Sequence, residues 1–238
     1  MGVLIGVAVG PEAQAGGSGT SDSVSVAHTA PATPGGSTGS PSPTPAASPV
    51  PRVVPKFDPN LPVTVALGDS ITFKPNSWFR QVCADAVLHN CLNSGISGNT
   101  TKQMLARLNV DALNYQPRIL ILMGGTNDLK HHQSTKQIMR RIRTILNRAR
   151  ATRASVVLCT IPPRNHYGGR VRSLNTAIRK YANRSDVPLL DFYPLLGTKN
   201  GSYKRGLSLD GVHPNRRAAN RMTALAERQL PALLSPLP

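Results

Sequence analysis

Residues 118–123 read Arg-Ile-Leu-Ile-Leu-Met, apolar at every position after the first. A strand with one wet face alternates apolar and polar residues, so a run like this is buried on both faces. Both faces then need a cover, and a chain that alternates strand and helix supplies one. This chain alternates throughout. Strand-like runs at 63–67, 91–94, 155–160 and 187–192 are separated by segments with apolar residues at helical spacing: 77–89, 101–108, 135–151, 171–183 and 215–230. The pattern predicts an α/β fold, a three-layer α/β/α sandwich around a central, mostly parallel five-stranded sheet. In such a sheet every loop after a strand opens on one edge, and ligands bind at that edge.

The alternation starts late in the chain of 238 residues. Residues 16–56 are Gly, Ser, Thr, Ala and Pro with almost no large apolar residue, which predicts a disordered linker. The folded domain is expected over 57–238. Residues 1–15 contain a short apolar segment and then Ala13-Gln14-Ala15, a small-x-small pattern that suits a signal-peptide cleavage site. The positive residues that normally precede such a segment are missing. Export to the cell surface or medium is the expectation, with a plain disordered amino end as its alternative. Three cysteines fit export: Cys83 and Cys91 are close enough to pair, and Cys159 sits in an apolar run as a core thiol. With no C-x-x-C pair, no structural zinc is expected.

The formal net charge is +17. Many of the cations fall on predicted helices, among them Arg140, Arg143, Arg148, Arg150, Arg172 and Arg184. A solvated helix face accounts for them, and so does contact with an anionic cell surface or membrane. Specific nucleic-acid binding is not expected, because aromatics are few and no helix-turn-helix, zinc-finger or RNA-recognition motif is present.

Four short blocks lie at strand ends or in loops of the predicted edge. Gly68-Asp69-Ser70 follows the first strand; a serine there can act as a nucleophile, and the same tripeptide also suits a helix-capping turn. Asp210-Gly211-Val212-His213 places an acid three residues before a base, close enough for the Asp to orient the imidazole toward a serine. Asn127 follows the most apolar strand and two glycines, and its amide can donate to an oxyanion. Gly98 offers a backbone N–H with no side chain in the way. Each block alone is also an ordinary turn. All four at one edge are hard to get by chance, and they are the parts that a serine nucleophile needs.

These blocks resemble those of the SGNH hydrolases, also called GDSL esterases and lipases. Gly68-Asp69-Ser70-Ile71, Asn93-Ser94-Gly95-Ile96-Ser97-Gly98, Gly125-Thr126-Asn127-Asp128 and Asp210 with His213 match the family's four blocks across residues 63–230. The Asn-Ser-Gly-Ile-Ser-Gly-Asn-Thr run, Leu105-Ala106-Arg107-Leu108 and Tyr167-Gly168-Gly169-Arg170 are similar to the bacterial multifunctional thioesterase/lysophospholipase branch. The resemblance implies a flavodoxin-like fold and a triad of Ser70, His213 and Asp210. It implies an oxyanion hole of the Ser70 and Gly98 N–H groups and the Asn127 side chain, with no cofactor and no metal. The expected activity is hydrolysis of a short- or medium-chain acyl ester through an acyl-serine; an acetylated carbohydrate or a lysophospholipid would serve. The ester can be a small molecule or polymer-linked, and the enzyme is expected to be a monomer. Transfer of the acyl group to a sugar or polymer hydroxyl by the same triad is the alternative, and a non-catalytic basic module is a further one. The loop that starts at Pro162 is expected to line the pocket, with Arg164 or His166 meeting an anionic group of the substrate.

Overall fold

The computed structural model describes residues 56–234 except Ala86. The signal segment and all of the linker before Lys56 lie outside the described residues. The sheet consists of β1 (Thr64–Gly68), β2 (Cys91–Gly95), β3 (Ile119–Leu122), β4 (Ser155–Cys159) and β5 (Leu189–Leu190). Its order is β2-β1-β3-β4-β5, and every pair is parallel. The chain goes from β1 outward to β2, then crosses back to β3 on the other side of β1. The strand order therefore reverses between β1 and β3, which is where open α/β sheets bind ligands.

Side-chain alternation along the strands sorts the core into two layers. Val65, Leu67, Leu120, Leu122, Val156 and Leu158 face one side. There they meet α3 (Thr101–Ala106), α4 (Leu108–Asp111), α6 (Thr135–Ala151) and α7 (Gly168–Arg184) through Met104, Leu108, Ile142 and Ile178. Ala66, Ile121, Met123, Val157 and Cys159 face the other side. They pack against α2 (Trp78–Ala84), α8 (Tyr193–Leu196) and α9 (Arg216–Leu234) through Trp78, Phe79, Leu196 and Met222. The three-layer sandwich read from the sequence is the observed fold, and the sheet is wholly parallel.

Several element ends differ from the sequence reading. The helix expected over 77–89 stops at Ala84, because a disulfide joins Cys83 to Cys91 with Cα atoms 6.2 Å apart and turns the chain into β2. Cys159 is free and buried. The strand expected over 187–192 pairs only at Leu189 and Leu190. Pro188 has no N–H to give, and Asp191 leaves the ladder to bind Arg179 at 2.7 and 2.9 Å and accept from Thr160 Oγ1. The helix expected over 101–108 breaks at Arg107, which swings its side chain toward β1.

Candidate active site

Two short helices missed by periodicity, α1 (Ser70–Phe73) and α5 (Thr126–Lys130), start at the carboxyl ends of β1 and β3. A single turn of helix is too short to show an apolar repeat. Asp69 caps α1: its Oδ1 accepts the Ile71 N–H at 2.9 Å. Ser70 is therefore the first residue of the helix, where the backbone N–H has no partner within the helix. Gly68 makes this possible, since a Cβ there would lie 2.1 Å from Thr72 Oγ1. The turn and the capping role that the sequence offered as alternatives to a nucleophile are both present, on Asp69, and they present the serine.

Ser70 Oγ lies 2.9 Å from His213 Nε2, across 143 residues of chain. On the other side of the ring, His213 Nδ1 is 2.5 Å from Asp210 Oδ2. Asp210 Oδ1 also accepts the backbone N–H groups of Val212 and His213, at 2.9 and 2.7 Å. Partial desolvation opposes ionisation of Asp210, but its bonds from the His213 ring and these two N–H groups outweigh it and hold the carboxyl well below the usual range. An ionised Asp210 has no proton to give, so Nδ1 carries the imidazole proton and donates it. Nε2 then presents its lone pair to the Ser70 hydroxyl, which donates.

The His213 loop is held from several sides. Ser208 and Pro214 form an antiparallel bridge, and Asn215 N–H donates to Leu207 O at 3.0 Å. Tyr203 is buried and gives its hydroxyl to Val212 O at 3.0 Å; burial holds its phenol well above the usual range. Asn165 N–H donates to Gly211 O at 2.8 Å. Asn165, which the sequence reading passed over, thus ties the loop after β4 to the His213 loop.

Arg164 and His166, expected to meet an anionic group of the substrate, lie in different surroundings. Arg164 is only 9% exposed, and its guanidinium carbon sits 5.2 Å over the Tyr167 ring. Its charge acts on Asp69 and Tyr203 within the protein. His166 is exposed, at φ 66°. Neither side chain bonds to Ser70, His213 or Asp210.

The donors assigned to an oxyanion stand at the same edge. Gly98 has φ 78° and occupies the third position of a turn closed by the Asn99 N–H to Ile96 O at 3.2 Å. Its own N–H takes no part in closing that turn, and the space where a Cβ would stand is open. Gly95, the other glycine of the block, spends its N–H on Asn93 Oδ1 at 3.0 Å. Asn127 gives one amide hydrogen to Asn99 O at 3.0 Å, which orients the amide and leaves its second N–H to donate elsewhere.

Two further residues hold this assembly. Asp128 is fully buried; its carboxylate accepts Thr101 N–H at 2.8 Å and Thr101 Oγ1 at 2.6 Å, and meets Arg141 at 3.3 Å. Arg107 donates to Gly68 O at 2.9 Å, to Asn99 Oδ1 at 2.7 Å and to Asp111 at 2.9 Å. It joins the nucleophile's strand to the Gly98 turn. The Leu105-Ala106-Arg107-Leu108 motif marks this Arg in the sequence but does not show what it bonds to.

This geometry and the sequence blocks agree with comparison to known proteins. Residues 66–221 match the family model described as the GDSL-like Lipase/Acylhydrolase family. The chain belongs to that family. It is a carboxylic ester hydrolase. It is similar to the Escherichia coli thioesterase 1/protease 1/lysophospholipase L1, 34% identical over 146 residues that cover 60% of this chain and 68% of that protein. It is also similar to the Pseudomonas aeruginosa esterase TesA, 27% identical over 135 residues that cover 56% of this chain and 66% of that one. A Bacteroides thetaiotaomicron GDSL-like lipase superposes with a TM-score of 0.63 and 25% identity, over 71% of this chain and 87% of that one.

Proposed function

We propose that this hydrolase cleaves short- or medium-chain acyl esters, with Ser70 as nucleophile, His213 as general base and then acid, and Asp210 as the group that orients His213. The observation that supports the reading best is the hydrogen-bonded line from Ser70 Oγ through His213 to Asp210. In the first half-reaction Ser70 Oγ bonds to the ester carbonyl carbon, and His213 Nε2 takes the hydroxyl proton. The oxyanion that forms is stabilised by the Ser70 and Gly98 N–H groups and the free N–H of Asn127. His213 returns the proton to the departing alkoxide as the ester C–O bond breaks. Water then cleaves the acyl-serine by the same steps in reverse. The names of the Escherichia coli relative, thioesterase and lysophospholipase, fit acyl groups carried on varied leaving groups. The Cys83–Cys91 bond suits an exported protein.

The test is a screen of nitrophenyl esters of increasing chain length, with acetylated xylan and lysophospholipid alongside. Ser70→Ala should remove turnover while leaving the unfolding temperature within a few degrees, because the residue is small and lies in a short helix at the surface of the sheet edge. A serine-directed phosphonate should label Ser70. Full activity in the alanine variant would sink the assignment. Product analysis with added sugar acceptors separates hydrolysis from acyl transfer.

A further inference from the structure

Beside the Ser70–His213 pair lies a groove that the chemistry above leaves unused. Its near part, a cavity of about 270 Å³, is walled by Ile71, Trp78, Leu209, Pro214, Ala219 and Met222. Ile71 is the neighbour of the nucleophile and Pro214 the neighbour of the base. Its far part, about 430 Å³, is lined by Arg80, Gln81, Arg216 and Asn220, and both parts share Pro75, Asn76 and Arg216. The groove thus runs outward between α2 and α9, apolar at the catalytic end and cationic at the distal end. Lys74, Arg80 and Arg216 line it and are exposed, and among the described residues no carboxylate lines either part.

The exposed side chains point to an occupant. Leu209 is 95% exposed at the near part, a large apolar side chain in water one residue before Asp210. An apolar wall and a rim of cations suit an amphiphilic anion.

The direction of the chemistry says which half of the substrate goes there. The oxyanion donors come from the loops after β1, β2 and β3. The leaving oxygen must lie within reach of His213 Nε2, which gives it the proton as the acyl carbon–oxygen bond breaks and the acyl–Ser70 bond is completed. The groove borders the residues on either side of the Asp210–His213 turn, so it is on the leaving-group side.

We propose that this groove binds the leaving-group arm of the ester and is built for an arm that carries negative charge. The inference rests on the triad reading above, and it names the substrate class for that site. Attraction by Lys74, Arg80 and Arg216 lowers KM for such esters, while the acyl carbon reacts as before.

The experiment compares two phenyl butyrates, one with a sulfonate on the ring and one with a neutral sulfonamide at the same position. Reading each variant against the unmutated protein cancels the intrinsic reactivity of the two esters. Lys74→Glu with Arg216→Glu should cost at least tenfold more kcat/KM on the sulfonate ester than on the sulfonamide, mainly through KM. Addition of 0.5 M salt should shrink the difference. Arg148→Glu, an exposed cation on α6 in the other helix layer, is the control for overall charge. Equal losses on both esters, or the same selectivity change in the Arg148 variant, would overturn the proposal. Leu209→Ser should raise KM on both esters; no change would remove the near part from the binding site. Esters of glycerol phosphate and of a uronic acid, each against its neutral counterpart, then tell a phosphate-bearing arm from a carboxylate-bearing one, and preference for neither would also count against the groove. If the unmutated protein turns over the sulfonamide ester and Ser70→Ala does not, a failed charge test leaves the esterase reading standing. If the unmutated protein turns over no ester, that reading fails first.

Discussion

Asn127 shows how one side chain can be both fixed and available. One amide hydrogen is used on Asn99 O, and that bond aims the other. In the proposed oxyanion role, a donor held in this way would strengthen its bond as the carbonyl oxygen gains charge, acting on the transition state more than on the bound ester. Removing such a donor costs about 10²–10³ in turnover. Asn127→Ala should lower kcat by that factor with little change in KM; a raised KM with kcat intact would make Asn127 a binding residue. Asp69, next to the nucleophile, sets a different problem. It is buried, its Oδ2 has no partner among the described residues, and burial first, then the nearby Asp128, push its pKa up to about 7 despite the Ile71 N–H and Arg164. The folded form therefore holds a proton that the unfolded chain gives up. The stability this confers is complete below about pH 4 and is lost as pH rises to about 7, on the order of 4 kcal/mol in all. Asp69→Asn keeps an oxygen for Ile71 N–H and has no charge to bury. It should raise the unfolding temperature at pH 8 and have a smaller effect at pH 4; an equal shift at both would show that ionisation is not the cause.

At the level of elements, the second strand carries the Gly98 turn, and the Cys83–Cys91 bond anchors that strand at its other end. The loop it closes is short, so the chain-entropy gain is about 2–3 kcal/mol. Cys83→Ser with Cys91→Ser should lower stability by roughly that amount in urea titrations, with the midpoint moving and activity below the transition retained. No shift at all would mean that the bond does not constrain the unfolded chain. The strands, the long helices and this cysteine pair were legible because each leaves a repeat, a run or a close spacing in the sequence. The short helices α1 and α5 were not, since a single turn is held by its cap and by what lies beneath it. Ser70 and Asn127 are singled out by their blocks, not by their elements. The roles of Arg107 and Asp128, named only inside their motifs, and of Asn165 were not legible because their side chains or backbone bond to residues in other elements: Gly68 and Asn99, Thr101 and Arg141, Gly211. The burial of Arg164 was hidden for a related reason: a cation in a loop looks like a surface group until the Tyr167 ring beneath it is known.

For the molecule as a whole, one sheet serves two apolar layers, so neither layer can fail alone. Leu120 is fully buried in β3, the strand that follows the reversal of order. Leu120→Ala should cost about 2–5 kcal/mol. Loss of helical signal and loss of ester turnover on heating should coincide in a single transition; activity that vanished well before the fold would mean that the site edge melts separately. The basic surface also divides at this scale. Some of its cations are occupied within the fold, such as Arg141 on Asp128, Arg179 on Asp191, and Arg170 on the carbonyls of Leu129 and Gln133. Others, such as Arg148 and Arg216, are exposed. The site itself is assembled from widely separated parts, with Ser70 and His213 lying 143 residues apart. At a synthesis rate of about 5–20 residues per second, roughly 7–30 s pass between the making of Ser70 and the making of His213. On the proposed roles, the growing chain carries throughout that interval a serine whose base does not yet exist, so the ester-cleaving arrangement forms only after nearly all of the described sheet and helices have been made.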